Sequence, residues 1–285
     1  MVDEPPYWNY KKKFEKFSKK QKYDNLKIGK KILEKRLSGE YDKNLPYMTT
    51  SQFKIKNKIT HKKNHKETIV IFPHCYFDNP HRYRSMIFND FYDQVLYFLK
   101  LSKKLNNYEW YYKPHPNELV GDLDVHKKLM KNFKNINYLN KSTSHYEILK
   151  LKPKCIVTNH GTIGHEYAAM KIPVINTGDN PHINYDFCIH AKNIKHLNMI
   201  MNNLDKYIKK INFDKKQIFE YLFMHYDYFQ NFNNERSYLK DRYFSVRKIR
   251  LNNNSSLLNY FVKNGDRFDN KINKYLEEFF KKNLD

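Results

Sequence analysis

The amino-acid sequence predicts an α/β protein built on a single Rossmann-like parallel sheet, with helical extensions before and after it. Two observations support this class. Between about residues 66 and 192, short apolar runs alternate with helical segments, and polar clusters directly follow several of those runs. Such alternation is typical of parallel sheets joined by right-handed crossovers. The region is long enough for one doubly wound half and too short for two.

The predicted strands are short runs rich in β-branched and aromatic residues. The first, Thr68–Phe72, is continuously apolar and ends at Pro73, as expected of a strand buried on both faces. The second, at residues 109–113, is stopped by Pro114 and Pro116. The remaining predicted strands span residues 136–139, 155–158 and 173–176.

The predicted helices connect these strands and then continue to the end of the chain. Their spans are residues 88–104, 124–133, 145–151 with Ser144 as cap, 165–170, 194–210, 216–230 and 269–282. Basic amphipathic helices are also expected from about residue 10 to residue 37, broken near Ser38 and Gly39. We therefore divide the chain into a basic helical extension (1–65), a nucleotide-donor-binding domain (66–192) and a helical segment packed on it (193–285).

The composition indicates a globular cytoplasmic protein. Of 285 residues, 40% are hydrophobic and 16% aromatic, which excludes a disordered chain. We find neither a transmembrane run nor the apolar core of a secretory signal. Cys75, Cys155 and Cys188 are odd in number and far apart, which favours a reducing compartment over a disulfide frame or a zinc site.

The chain carries a net charge of +23, and the N-terminal extension is its most basic part, with 18 Lys and Arg residues against 7 Asp and Glu residues. One interpretation is a solvated helical face packed on the main domain. The other is peripheral contact with an anionic membrane, which would place the protein at the inner membrane face. Nucleic acid is not an expected partner, because Arg-rich clusters and recognisable binding modules are not evident.

Three polar clusters follow three different predicted strands, at residues 74–81, 113–118 and 159–166. Ligands of open parallel sheets bind beyond the carboxyl ends of the strands, so we expect the clusters to form one site. In the third, Gly161 and Gly164 allow a tight strand-to-helix turn whose N–H groups attract phosphate. Thr162 adds a hydroxyl donor, and Glu166 can accept from ribose hydroxyls. The alternative is a Gly-rich packing turn capped by Thr162.

In the second cluster the two prolines hold His115 in a defined direction beside Lys113. This suits contact with a nucleotide phosphate and stabilisation of a departing nucleotide. The alternative is a histidine that merely bonds backbone at a turn. His74 and Asp78 could form an acid/base pair. The loop at residues 177–182 could close over the donor, or be a simple turn.

The three clusters together resemble bacterial capsule and surface-polysaccharide transferases of the GT-B type. The likeness runs through IFPHCYFDNPHRYRSMIFNDFYDQVLYF, WYYKPHPNE and VTNHGTIGHEYAAMKIPVINTGDNPHINYDF, roughly residues 68–190. It implies the C-terminal, donor-binding half of such an enzyme. The donor would be a nucleotide sugar, with a cytidine link such as CMP-Kdo or CMP-sialic acid favoured and UDP as an alternative.

By this likeness His115 contacts the cytidylate phosphate, Thr162 lies nearby and Glu166 binds the ribose. The partners would be a nucleotide sugar and a glycan acceptor. The N-terminal acceptor-binding domain would either be missing from this chain or be reduced to helices. Related enzymes leave three alternatives: a CDP-donor phosphotransferase of teichoic-acid type, a sugar-nucleotide epimerase and a non-catalytic nucleotide-binding module. Because no D-x-D motif follows a strand, neither a metal nor another cofactor is expected.

The candidate residues fall into two groups. The catalytic candidates are His115, His74 and Asp78. The nucleotide-binding candidates are Lys113, Pro116, Glu118, His160, Gly161, Thr162, Gly164, Glu166, Gly178, Asn180 and His182. On this basis, replacing His115 or Glu166 with alanine should weaken nucleotide binding and leave the melting temperature nearly unchanged.

Overall fold

The computed structural model describes residues 5–40, 51–54, 59, 65–78 and 86–229. The chain divides into two compact units, Met1–Tyr228 and Phe229–Asp285, and the sheet belongs to the first. The helix predicted at residues 269–282 and the part of the first polar cluster after residue 78 lie outside the described residues. Within the described ranges, no helix is both long enough and apolar enough to span a bilayer.

Six strands form one fully parallel sheet in the order β3-β2-β1-β4-β5-β6. They are β1 (Thr68–Phe72), β2 (Glu109–Tyr112), β3 (Ile136–Tyr138), β4 (Cys155–Thr158), β5 (Val174–Asn176) and β6 (Ile189–His190). The prediction of a single Rossmann-like parallel sheet is confirmed. The sequence did not reveal β6, because a strand of two residues leaves no periodicity to detect.

Helices connect the strands and flank the sheet in the chain. Before β1 come a 3-10 turn (Pro6–Asn9), α1 (Tyr10–Phe14) and α2 (Lys19–Leu37). Between successive strands lie α3 (Phe91–Lys104), α4 (Asp122–Asn132), α5 (His145–Lys150) and α6 (Ile163–Ala169). After β6 come α7 (Ile194–Asn202), α8 (Leu204–Ile208), α9 (Lys215–Phe223) and a π-helical turn (Met224–Tyr228).

The helix ends differ from the predicted ones where capping decides them. α3 begins at Phe91 because Asp90 Oδ1 accepts the backbone N–H of Asp93 at 2.7 Å. The single helix predicted over residues 194–210 is interrupted at Asn203, which separates α7 from α8. Ser144 caps α5 as predicted, since its side chain accepts from the N–H of Tyr146.

The core lies along the central strands. Every residue of β1, β2, β4 and β5 is buried, which explains their uninterrupted apolar patterns. Phe98 and Leu99 of α3 are fully buried against this sheet in one cluster with Trp110 of β2. Each such side chain stabilises the fold by about 1.5–3 kcal/mol.

The N-terminal helices pack on α9 within the same compact unit. α2 begins with a capping box formed by Ser18 and Gln21, and it buries Leu33. Phe14 of α1 is buried, with its ring edge-on to Phe223 of α9 at 6.2 Å. The extension therefore contributes apolar side chains to the main unit, while nine of its described lysines remain exposed.

Candidate functional site

The strand order reverses between β1 and β4, and this reversal locates the candidate site. The chain passes from β1 to β2 and β3 on one side, then returns to place β4 on the other side of β1. Phe72 at the end of β1 is paired with Thr158 at the end of β4. The loops that follow leave in opposite directions, and ligands of such sheets bind in the crevice between them.

The loops after β1 and β2 meet through two histidines. The rings of His74 and His115 are stacked, with centroids 5.8 Å apart and planes at 22°. His74 also stacks on Phe91 at the start of α3, at 4.5 Å. The Cys75 thiol lies 3.4 Å from Nδ1 of His115. The structure therefore brings the first and second predicted clusters together.

His115 is a neutral hydrogen-bond donor in this arrangement. The backbone N–H of Asn117 donates to its Nδ1 at 3.2 Å, so the proton of the neutral ring is on Nε2. Burial, reinforced by the neighbouring His74, lowers the pKa of His115 to about 4. Within the described residues Nε2 has no hydrogen-bond partner. A ligand oxygen can therefore accept a hydrogen bond from Nε2–H at neutral pH.

Asp122 connects the same two loops, and it is not among the candidate residues that the sequence predicts. It is fully buried, and its two carboxylate oxygens accept the backbone N–H groups of Tyr76 at 2.8 Å and Leu119 at 2.7 Å. Tyr76 belongs to the loop after β1 and Leu119 to the loop after β2. An Asp beside Gly121, just beyond the second cluster, is the signal that could have revealed a helix start at this point.

His74 and Asp78 lie next to each other, as predicted. Nδ1 of His74 is 3.5 Å from Oδ2 of Asp78, and the carboxylate is 42% exposed. Burial lowers the pKa of His74, although Asp78 opposes this shift. A largely neutral imidazole beside a carboxylate has the composition of the acid/base pair that the sequence predicts, and that role stays a prediction.

Lys113 is buried instead of open to the crevice. Its Nζ donates to the backbone carbonyls of Lys141 at 3.0 Å and Pro114 at 3.4 Å. Burial lowers its pKa to about 7, against the opposing effect of Glu118 and Glu166. Contact between Lys113 and a nucleotide phosphate stays a prediction, and the observed contacts brace the loop after β2.

Glu118 takes part in a chain of polar contacts below these loops. Its Oε2 accepts from Lys141 Nζ at 2.8 Å, and its Oε1 lies 3.2 Å from Nε2 of His126. Nδ1 of His126 is 2.8 Å from the Tyr112 hydroxyl, which is 2.6 Å from that of Tyr76. Pro116 lies half-buried in the same loop. These contacts support the position of the loop that carries His115.

The third cluster has its turn at Gly161, where φ is +126°. A side chain would strain this backbone conformation, and the space that a Cβ would occupy has no heavy atom within 4 Å. Its N–H donates to Oδ1 of Asn180 at 3.0 Å. Thr162 precedes α6 without making a side-chain cap hydrogen bond. The turn thus presents open space and a hydroxyl that its helix does not use.

Asn180 connects the loops after β4 and β5. It is fully buried, and its Nδ2 donates to the carbonyl of Asn159 and to Oδ1 of Asn176, both at 3.0 Å. His160 makes a second connection, since its Nδ1 lies 2.7 Å from the carbonyl of Asp179. The sequence predicted nucleotide contacts for Asn180 and His160, and the structure shows each of them bonded to these loops.

Gly164, Gly178 and His182 lie in close packing contacts. A Cβ on Gly164 would lie 2.3 Å from Nε2 of His182, and one on Gly178 would lie 2.7 Å from Oδ1 of Asn159. His182 is fully buried and stacked on Phe187 at 5.4 Å, and burial holds its pKa well below the usual value. These contacts match the packing-turn alternative, and nucleotide contacts of the three residues stay predictions.

Glu166 forms a buried ion pair that the sequence did not predict. Its Oε1 accepts from Nε of Arg36, in the last turn of α2, at 2.6 Å. The guanidinium carbon lies 5.3 Å from the ring centroid of Tyr226 in the π-helical turn. A signal was present, because Arg36 is the one arginine among the 18 basic residues of the segment 1–65.

The 3-10 turn at the N-terminus also reaches the sheet edge. The Tyr7 hydroxyl donates to Oδ2 of Asp179 at 2.9 Å, and Nε1 of Trp8 donates to the same oxygen at 3.2 Å. Asp179 is buried in the loop after β5. Two parts of the N-terminal extension therefore contact the candidate site region.

An open cavity of about 610 Å³ lies to one side of the crevice, between the start of α7 and the residues before α3. It is lined by Met86, Ile87, Lys192, Asn193, Ile194 and Lys195. None of these was a candidate residue. The candidate residues follow β1, β2, β4 and β5, so the crevice at the strand-order reversal remains the candidate functional site.

No protein-family model and no curated protein matches this chain. Among solved structures it is similar to the beta Kdo 2,4 transferase KpsC of Thermosulfurimonas dismutans, with 14% identity, a TM-score of 0.45 and coverage of 70% of this chain and 55% of that one. It is also similar to a UDP-GlcNAc 2-epimerase from Neisseria meningitidis, with 15% identity, a TM-score of 0.39 and coverage of 71% and 49%. The wall teichoic acid polymerase TagF is similar with 16% identity, a TM-score of 0.33 and coverage of 55% of this chain and 39% of that one. The chain thus spans about half the length of the first two, and the fold assignment rests on its own sheet topology.

Proposed function

We propose that this chain is the donor-binding half of a nucleotide-sugar-dependent glycosyltransferase of capsular or surface-polysaccharide synthesis. The observation that carries the proposal is the meeting of His74 and His115 beside the reversal of strand order, where the Gly161 turn flanks the same crevice. The GT-B likeness of the three sequence clusters supplies the class of reaction. A chain of this kind would act in the cytoplasm, at the inner face of the membrane.

In this proposal the nucleotide phosphate lies between His115 and the Gly161 turn. Nε2–H of His115 donates to a phosphate oxygen, and the Thr162 hydroxyl donates to another. The open space beside Gly161 admits the phosphate without a steric clash. The ribose is held by Glu166.

The transfer itself needs a base for the acceptor and donors for the leaving group. An acceptor hydroxyl attacks the anomeric carbon, the new C–O bond forms, and the bond to the nucleotide phosphate oxygen breaks. His74, which lies beside Asp78, takes the acceptor proton. The departing phosphate gains negative charge, which the His115 hydrogen bond stabilises. Without a metal, hydrogen-bond donors of this kind stabilise the leaving group.

The cytidine preference comes from the sequence likeness, so the first experiment compares bases. Isothermal titration calorimetry with CMP, CDP, UDP and GDP should show the cytidine nucleotides binding most tightly. If none of the four binds at about millimolar concentration, where binding is worth only about 4 kcal/mol, the proposal is wrong. Tighter binding of UDP would refute the cytidine preference alone. A clear preference for CDP over CMP would favour the phosphotransferase alternative.

A further inference from the structure

We infer that Arg36 is a positioning residue that presents Glu166 to the ribose of the bound nucleotide. This inference rests on the proposed function and deepens it. Arg36 lies in the N-terminal extension, outside the sequence region that resembles transferases. It would make the extension part of the nucleotide site.

The geometry of the ion pair leaves one carboxylate oxygen for a ligand. Nε of Arg36 donates to Oε1 of Glu166 at 2.6 Å, and the two side chains are only 7% and 5% exposed. Among the described residues, Oε2 of Glu166 has no hydrogen-bond partner. A charge-assisted hydrogen bond at this distance fixes the carboxylate in one orientation. The remaining oxygen can then accept from a ribose hydroxyl.

Arg36 is itself held in place by its surroundings. Leu33, one turn earlier on the same face of α2, is buried. The guanidinium lies over the ring of Tyr226, within the distance of an attractive cation–π contact. Tyr226 belongs to the π-helical turn, a rare backbone form that is frequent at functional sites. A lysine would provide the charge without the flat group that stacks on this ring.

This arrangement has a measurable consequence, because it makes ribose recognition depend on Arg36. A nucleotide without hydroxyls on its sugar gains nothing from an oriented Glu166. Loss of Arg36 should therefore weaken binding of CMP and leave binding of 2′,3′-dideoxy-CMP nearly unchanged. A purely structural role of Arg36 would weaken both nucleotides equally.

The experiment measures both nucleotides by calorimetry on the full chain and its variants. We expect Arg36→Met to bind CMP about 10-fold more weakly, the effect of one hydrogen bond to a charged group, with less than about 2-fold change for the dideoxynucleotide. Arg36→Lys should restore part of the loss. Lys35→Met, which removes an exposed charge beside it, should change neither. Glu166→Gln should likewise weaken binding of CMP and leave binding of the dideoxynucleotide nearly unchanged. The double variant Arg36→Met/Glu166→Gln should bind CMP no more weakly than Glu166→Gln does.

The outcomes separate this inference from the proposed function. Wild-type protein that binds no nucleotide refutes both. Wild-type protein that binds CMP and dideoxy-CMP equally refutes this inference and leaves the proposed function standing. Equal weakening of both nucleotides in Arg36→Met also refutes it. If Arg36→Met does not fold, Arg36→Lys decides, because it keeps a positive charge beside Glu166. It should lose part of the ribose discrimination; unchanged discrimination, or equal weakening of both nucleotides, overturns the inference.

Discussion

The ring of His115 stacks on His74 while its Nδ1 accepts the backbone N–H of Asn117. The stacked rings join the loops after β1 and β2, and the hydrogen bond from Asn117 places the proton of His115 on Nε2. The sequence indicated that both residues follow strands. The tautomer and the stacking follow only from the folded geometry.

Replacing His115 tests its role as a donor. We expect His115→Ala to weaken CMP binding about 10-fold, and His115→Gln to retain more affinity because its amide can still donate. The thermal midpoint should move little, since the ring is only partly buried. Calorimetry and thermal unfolding followed by circular dichroism check this. If both variants unfold, the role of His115 is to maintain the structure of the loop and not to donate to the nucleotide.

Asp122→Ala should destabilise the protein and weaken nucleotide binding together. It leaves two backbone N–H groups without their acceptor, at about 1–3 kcal/mol for each unsatisfied group. Asp122→Asn keeps one acceptor and should lose less. Urea unfolding compares both with Asp124→Ala, an exposed acid in the same helical turn. If Asp124→Ala lowers the free energy of unfolding as much as Asp122→Ala does, the loss reflects removal of an acidic residue from the start of α4 and not the loss of the loop hydrogen bonds.

Glu166→Ala should lower stability by about 3–5 kcal/mol, because it leaves the Arg36 charge buried without its carboxylate. This revises the sequence-based expectation of an unchanged melting temperature. The control is Glu34→Ala, which breaks an exposed pair with Lys30 and should cost less than about 1 kcal/mol. Denaturant titration measures both. Similar small losses in the two variants would mean that the buried pair contributes no net stability.

The protein should lose stability as the pH falls below about 6.5. Burial lowers the pKa values of His115, His190 and His225 to about 4. As pH falls from 6.5 towards 4, the unfolded chain therefore binds protons before the folded protein does. The three together should remove roughly 4 kcal/mol between pH 7.5 and 5.5. Urea unfolding at the two pH values measures this, and His225→Phe should show a smaller difference; equal stability at both would contradict the expectation.

Gly164→Ala should destabilise the protein by about 1–3 kcal/mol, because the new Cβ would overlap the His182 ring. In Gly164→Ala/His182→Ala the ring is removed, so the two changes should cost less together than the sum of the single losses. A double-mutant cycle by urea unfolding measures this coupling. Strict additivity would show that α6 shifts away from His182 at no cost.

The sequence by itself determined the α/β class, five of the six strands and the position of three polar clusters at strand ends. These features are local, since a buried parallel strand is a short apolar run and a strand end is marked by the proline, glycine or polar residue that follows. The tertiary structure decided which groups meet. Gly164 and His182, for example, pack against each other, a contact that their positions in the sequence do not indicate.

The largest gain from the folded structure is the link between Arg36 and Glu166, which lie far apart in the chain. No periodicity or spacing connects a helix of the N-terminal extension with the start of α6. Burial of a charge has a high free-energy cost unless an opposite charge lies beside it, so the partner of Glu166 depends on which helix packs there. That choice is made by the apolar packing of α1 and α2 against α9, which only the folded chain reveals.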